Sequence, residues 1–308
     1  MVGPWRVLVS DGLAQIGVAR LEQEAEVVVA DLESLGSVDA WIVRSRTRVD
    51  AASLASAAPR LRVVGRPGVG VDNVDLEAAR RQQIIVVNAP EATTIAVAEL
   101  TLGLMLALAR HIPAGDAALR RGEWSKSRLE GNELSGKTLG LVGIGRIGRA
   151  VAQRASALGM TVIACDPYLA PQAIRAAGAE PYELGRLLEI SDYVSLHVPL
   201  TDETRGTFGA EALSHMKAGA RLVCAARGGL IDERALLAAL EDGRLAGAAL
   251  DVFEREPPGP NPLLQHPRLV ATPHLGSQTA EAQARVAVDI ADEVLAALRG
   301  APLRWRVV

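Results

Sequence analysis

Short apolar runs alternate with polar or amphipathic stretches along the whole chain. In the first third they fall at residues 5–10, 25–30, 40–44, 61–65 and 84–88. Each run is strand-length and is followed by a helical or polar segment, which predicts βα units and a parallel sheet. Residues 95–111 then predict a helix. Its window 95–109 is the most apolar of the chain, yet it contains Glu99 and falls short of the ~20 residues a membrane span needs, so it reads as a buried helix. Residues 118–136 (ALRRGEWSKSRLEGNELSG) form a polar, loop-like connector, long enough to reach a partner subunit.

Beyond the connector the pattern sharpens. Residues 138–142 predict a strand, and Ile147, Val151, Ala155 and Leu158 then recur at helical spacing up to a stop at Gly159. Residues 161–165 predict the next strand. Further strands end at His197 (DYVSLH), before Arg227 (RLVCAAR), at Asp251 (GAALD) and at His274 (LVATPH). A last helix is expected over residues 279–299, with Ala287, Ile290, Ala291, Val294 and Leu298 on one face and Gly300 as its stop. Residues 302–308 read as a closing strand or tail.

Length and composition narrow the picture. The 308 residues exceed one ordinary domain, so two are expected. A hydrophobic fraction of 49% with 22% charged residues fits a folded globular protein. A net charge of −3 leaves no nucleic-acid footprint, and 3% aromatics leave little for base stacking. The two cysteines, Cys165 and Cys224, both sit in predicted strands. They make no disulfide framework, which points to a reducing compartment and a cytoplasmic location. The opening residues carry neither a charged n-region nor a long apolar stretch, so no signal peptide is expected. No metal-ligand cluster stands out.

The candidate chemistry begins between the strand at 138–142 and its helix, where Gly143, Gly145 and Gly148 fall in the spacing G-x-G-x-x-G. A lone match would carry little weight. Between a strand and a helix it has a physical reading: Gly143 for a tight turn, Gly145 for close approach of backbone to a pyrophosphate, and Gly148 for helix–sheet packing. The helix N-terminus then faces the phosphates. Asp166 ends the second strand about 20 residues on, where its carboxylate suits an adenosine ribose and opposes a 2′-phosphate, favouring NAD over NADP.

Ligands of open parallel sheets bind at the carboxyl ends of strands. Asp166, His197, Arg227, Asp251 and His274 all fall there. Any one could merely satisfy backbone, but five beside a dinucleotide site suggest a reaction. An arginine fork holds and polarises a carboxylate beside a carbonyl, and a histidine moves the alcohol proton near neutrality. Glu256 is the preferred carboxylate partner for that histidine, with Glu254 and Asp251 competing. In the first half, Arg44 and Arg66 stand at strand ends beside turns, and the Gly68-Val69-Gly70 turn offers backbone N–H groups to an anion. Arg46 and Arg48 read as a solvated rim.

The segments LVGIGRIGRAVAQRA, HVPLTDETRG, ARGGLIDERAL, AALDVFEREPP and ATPHLGSQT resemble, in order, the signatures of the D-isomer-specific 2-hydroxyacid dehydrogenases. WIVRSRT, VVGRPGVGVDNVDL and VNAPEATTIAVAELTLGLML are similar to the phosphoglycerate-oxidising branch more than to the lactate, formate or glyoxylate branches. The resemblance implies two doubly wound parallel-sheet α/β domains. A Rossmann-type NAD domain, residues 98–281, would be inserted in a flavodoxin-like substrate domain, residues 1–97 plus 282–308. It implies NAD-dependent oxidation of D-3-phosphoglycerate in serine biosynthesis, by a homodimer or higher homo-oligomer. Arg227 becomes the substrate-binding arginine, His274 the acid/base and Glu256 its partner. Cofactor contacts would come from Val69, from Arg146 and Ile147 with the glycines, and from Asp166. His197, Val198, Pro199 and Thr204 would add to them, as would Ala225, Ala226, Arg227, Asp251, His274 and Gly276. Arg44 and Arg66 become candidates for the phosphate, and the backbone of Val69 and Gly70 for the carboxylate.

Two departures stand out. Cys224 occupies a position where the family usually carries asparagine, so a polar contact near the site is expected to be weaker. The sequence also ends at Val308, so the expectation is a short form without a C-terminal regulatory domain and without serine feedback through one. Two rival readings are kept: a glyoxylate or hydroxypyruvate reductase on the same scaffold, and an NAD-sensing scaffold like the C-terminal-binding-protein corepressors.

Overall fold

A computed structural model describes residues 4–29 and 32–308. The Ala30 end of the second predicted strand and the first three residues lie outside them. The chain divides into two compact units, residues 1–94 with 277–308 and residues 95–276. The second is inserted in the first along the chain, with boundaries a few residues before those expected at 97 and 281.

The first unit alternates β1 (Trp5–Val9), α1 (Gln15–Glu22), β2 (Ala25–Val29), β3 (Ala40–Ile42), α2 (Ala51–Ala57), β4 (Val63–Arg66), α3 (Leu76–Arg81) and β5 (Ile85–Asn88). Its five parallel strands run in the order β2-β1-β3-β4-β5, the flavodoxin-like winding. Both faces are covered, so the central strands are apolar throughout: Val7, Val9, Ile42 and Val63 face one core, and Leu8, Trp41 and Val64 the other. The C-terminal helix, Ala280–Arg299, packs on the first of these cores. It approaches α1 so closely at Gly17 that a Cβ there would lie 2.6 Å from Ala287 Cβ. After it, Val307 N donates to Val86 O and Asn88 N to Trp305 O. The tail thus pairs antiparallel with the free edge of β5.

The second unit opens with α4 (Thr94–Arg110) and α5 (Ile112–Arg120), then β6 (Thr138–Val142), α6 (Arg146–Ala157), β7 (Thr161–Cys165), α7 (Pro171–Ala176), β8 (Glu180–Pro181) and α8 (Leu184–Ile190). It continues through β9 (Tyr193–Leu196), α9 (Ala210–His215), β10 (Arg221–Cys224), α10 (Glu233–Glu241), β11 (Gly247–Leu250) and β12 (Leu269–Ala271); the C-terminal helix is accordingly α11. Seven parallel strands run β12-β11-β10-β9-β6-β7-β8. The direction of winding reverses between β6 and β9, a switch point where such sheets bind ligands. Among the described residues no single helix is long and apolar enough to cross a membrane, and α4 is a core helix with Leu104, Met105 and Ala109 buried.

Several expectations need correction. The strands expected to end at His197, just before Arg227, at Asp251 and at His274 stop at Leu196, Cys224, Leu250 and Ala271. Each polar residue therefore sits in the loop just past its strand. The connector expected over residues 118–136 is also not loop alone: the chain bends at His111 (φ 51) and restarts as α5, with Pro113 in its first turn, and this helix takes in residues 118–120. Nor does that connector stray far. Asn132 N donates to Ala109 O, and His111 Nε2 lies 3.1 Å from Glu130 O.

Candidate active site

The glycine turn after β6 has the shape its spacing predicts. Gly143 has φ 90, and a Cβ there would meet His197 O at 2.8 Å; a Cβ on Gly148 would meet Gly143 O at 2.5 Å. By contrast, nothing lies within 4 Å of where a Cβ on Gly145 would stand. That open side, at the N-terminus of α6 where no side chain caps the helix, fits a pyrophosphate approaching the backbone. Asp166 stands beside it: one carboxylate oxygen accepts from Ile144 N (3.0 Å) and the other from Tyr168 N (3.1 Å). These bonds fix the carboxylate while leaving it lone pairs for a ribose diol. The residues present therefore fit a dinucleotide.

His197 follows β9 and backs the Gly143 turn. Its Nε2 lies 2.9 Å from Ser195 Oγ, and burial pushes its pKa down to about 4, so the ring is neutral across the physiological range. Next to it, Thr204 Oγ1 donates to Pro199 O (2.7 Å) and accepts from Thr201 N (2.8 Å), closing the 199–204 turn. Sequence reasoning did not find Ser195, whose only signal is a polar residue inside a buried strand.

The reactive end lies on three loops. His274 adopts a left-handed backbone (φ 53), an unusual conformation for a side chain with a Cβ. Asp251 imposes it. This carboxylate is fully buried and accepts from Thr272 Oγ1 (2.6 Å), Leu275 N (2.7 Å) and Gly276 N (2.8 Å), while Asp251 O accepts from His274 N (2.9 Å). Glu256 settles the competition for the histidine: its Oε2 stands 2.7 Å from His274 Nδ1. A carboxylate only accepts, so Nδ1 carries the proton and Nε2 is the nitrogen left to exchange one. Burial is the strongest single influence on Glu256 and pushes its carboxyl up. The bond to His274, the imidazolium charge, the Phe253 N–H and the Arg227 charge together outweigh it and hold the group below its ordinary value. Glu254 instead accepts from Glu233 N.

Arg227 begins the turn after β10, with Nη1 donating to Ala226 O at 2.6 Å. Beneath it, Cys224 is fully buried, and burial raises its thiol to about 11. Its Sγ donates to Arg227 O at 3.5 Å, the weak bond expected of sulfur in place of an amide. Ala225 and Ala226 fill the turn between them; Val198 follows His197 in the loop after β9, and Arg146 and Ile147 form the first turn of α6.

In the other unit, Arg44 is held by its own surroundings. Asp11 accepts from Arg44 N (2.6 Å) and from Thr47 Oγ1 (2.7 Å), and Arg44 Nη1 donates to Gln283 Oε1 (2.6 Å). Burial lowers its pKa, with Asp11 opposing. Arg66 donates to Pro67 O (2.9 Å) and Ser45 Oγ (3.2 Å), folding over its own turn. That turn is pinned by Asn88 Nδ2, which donates to Val69 O (2.7 Å), and it leaves Val69 exposed next to Gly70. Arg46 and Arg48 are exposed. Among the described residues no group of acidic, histidine or cysteine side chains is arranged to hold a metal.

Residues 102–276 match the family described as D-isomer specific 2-hydroxyacid dehydrogenase, NAD binding domain. A D-3-phosphoglycerate dehydrogenase from Methanocaldococcus jannaschii is 47% identical over 303 residues, covering 96% of this chain and 58% of that protein. This chain thus spans little more than half the length of that relative. Among solved structures, the TT0316 protein of Thermus thermophilus superposes with a TM-score of 0.91 at 41% identity, covering 98% of this chain and 100% of the other. A glyoxylate reductase from Paecilomyes thermophila gives 0.91 at 30% identity, covering 99% of each.

Proposed function

The chain belongs to the D-isomer specific 2-hydroxyacid dehydrogenase family, and from that premise we propose that it oxidises D-3-phosphoglycerate to 3-phosphohydroxypyruvate with NAD. The observation that carries the chemistry is the 2.7 Å pairing of His274 Nδ1 with Glu256, which leaves Nε2 as the base. Arg227 holds the substrate carboxylate and the C2 oxygen, and its charge stabilises the negative charge that develops on that oxygen as its proton leaves. His274 Nε2 removes the hydroxyl proton, and Glu256 stabilises the imidazolium that results. NAD, when bound, would accept the C2 hydrogen together with the two electrons of its bond, as hydride. The backbone of Gly145, Arg146 and Ile147 would hold its pyrophosphate, and Asp166 its ribose. Val69, Val198, Ala225 and Gly276 would add contacts.

The choice of phosphorylated substrate rests on Arg44 and Arg66 and on the similarity to a phosphoglycerate dehydrogenase. Unphosphorylated glyoxylate or hydroxypyruvate has no phosphate charge for them to meet. Steady-state rates with D-3-phosphoglycerate and with unphosphorylated 2-hydroxyacids test the assignment. Equal kcat/KM on the two classes would contradict it.

We assign the chain to a homodimer and to the cytoplasm. Ile112, Leu119 and Trp124 are exposed on α5 and the connector of one unit, an apolar surface that suits a second copy. Both thiols are free, as in a reducing compartment.

A further inference from the structure

Glu256 does not hold itself. It sits on the loop between β11 and β12, and that loop is anchored from outside the reactive set by Glu233, the first residue of α10. Glu233 Oε1 accepts from Glu254 N at 2.7 Å, and its Oε2 accepts from Asn261 Nδ2 at 2.6 Å. In return Glu233 N donates to Glu254 Oε1 at 3.2 Å. Asn261 Oδ1 accepts from Leu263 N at 3.0 Å, so the far side of the loop is tied to the same carboxylate. Within it, Phe253 N donates to Glu256 Oε1 at 3.1 Å, which leaves Oε2 for His274. The loop also supports the arginine. A Cβ added to Gly228 would run into the backbone of Phe253 and Glu254, so the turn carrying Arg227 rests directly on the segment that Glu233 grips.

From this geometry we infer that Glu233 is a positioning residue for the reaction: through Glu254 N and Asn261 it sets the loop that aims Glu256 at His274 and seats the Arg227 turn. Charge-assisted bonds from a carboxylate to backbone N–H and amide groups are the strong kind. Two of them, from one carboxylate to separate points of the loop at Glu254 and Asn261, hold it where a single neutral bond would let it shift. The inference rests on the dehydrogenase reading for its consequence, while the geometry it concerns exists without substrate.

The test uses the full chain and two independent readouts. The first is the proton NMR line of the His274 Nδ1–H, displaced downfield by its bond to the Glu256 carboxylate. The chain has five histidines, so H274A assigns the line. The second is the split between kcat and the dissociation constant of NADH, measured by fluorescence titration. Glu233→Ala is expected to shift or broaden the line and to lower kcat about tenfold or more, with NADH affinity changed less than about twofold. Glu233→Gln keeps one acceptor but sets an amide donor against Asn261 Nδ2, and is expected to fall between. The double variant Glu233→Gln with Asn261→Asp restores donor to acceptor and should recover line and kcat together; this pair also serves if the alanine variant fails to fold. A line and kcat that stay at wild-type values in the single variants, with only thermal stability lowered, would overturn the inference. Perturbation of the line in a protein that turns over no 2-hydroxyacid would leave it standing and overturn the proposed function instead.

Discussion

At the scale of single residues, two imidazole rings stand in different states. His274 is partly exposed and paired with Glu256, whereas His197 is largely enclosed and neutral down to about pH 4. Replacing His274 with alanine should lower turnover by about 10²–10⁴-fold, the usual worth of general acid–base catalysis, with NADH binding retained; turnover unchanged would exclude it as the base. His197 predicts a stability effect instead. Between its ordinary value of 6.5 and about 4 the unfolded chain binds a proton that the folded chain refuses, so stability falls as pH drops through that window. A variant His197→Asn should flatten that part of a urea-denaturation profile by an amount on the order of 2 kcal/mol. Glu256 has its own window. Its folded value is lowered, so its contribution is present above the ordinary 4.5 and is lost as pH falls through the lowered value. A Glu256→Gln variant should therefore differ from wild type in stability near neutrality and converge with it in acid.

The elements explain what the sequence reveals and what it hides. β6 and β7 match their predicted residues, because glycines with positive φ punctuate both ends of α6: Gly143 at φ 90 and Gly159 at φ 80. The strands after them were read too long. Ala225, just past β10, is buried although it lies in a loop, as is Val43 past β3 in the first unit, so apolar character does not stop where the ladder does. α5 was missed because the chain bends by a left-handed His111, a conformation no composition rule signals. The site shows the same division. Gly143, Gly145, Gly148 and Asp166 are neighbours in sequence, and their geometry follows from a local turn. The contacts of Glu233 with Glu254 span 21 residues, and that of Arg44 with Gln283 spans 239; such pairs follow only from the fold. Element packing also makes a prediction. Gly17→Ala would press a methyl against Ala287 where α1 and α11 approach, and should destabilise the chain by about 1–3 kcal/mol in urea denaturation.

For the molecule as a whole, two claims remain to be measured. If the exposed apolar surface of α5 and the connector meets a second copy, Trp124→Glu should convert a dimer to a monomer in light scattering after gel filtration. A wild-type monomer would contradict that assignment. The more central claim is that a dinucleotide site with an arginine and a histidine–glutamate pair acts here on a phosphorylated hydroxyacid. Its most direct test is the ratio of kcat/KM for D-3-phosphoglycerate to that for D-glycerate with NAD, in wild type and in Arg66→Ala. Losing one charge-assisted contact should lower kcat/KM for the phosphorylated acid by roughly 10–100-fold, mostly through KM, and leave D-glycerate nearly unchanged. A wild-type enzyme that prefers D-glycerate, or an Arg66 variant that loses both activities equally, would contradict it.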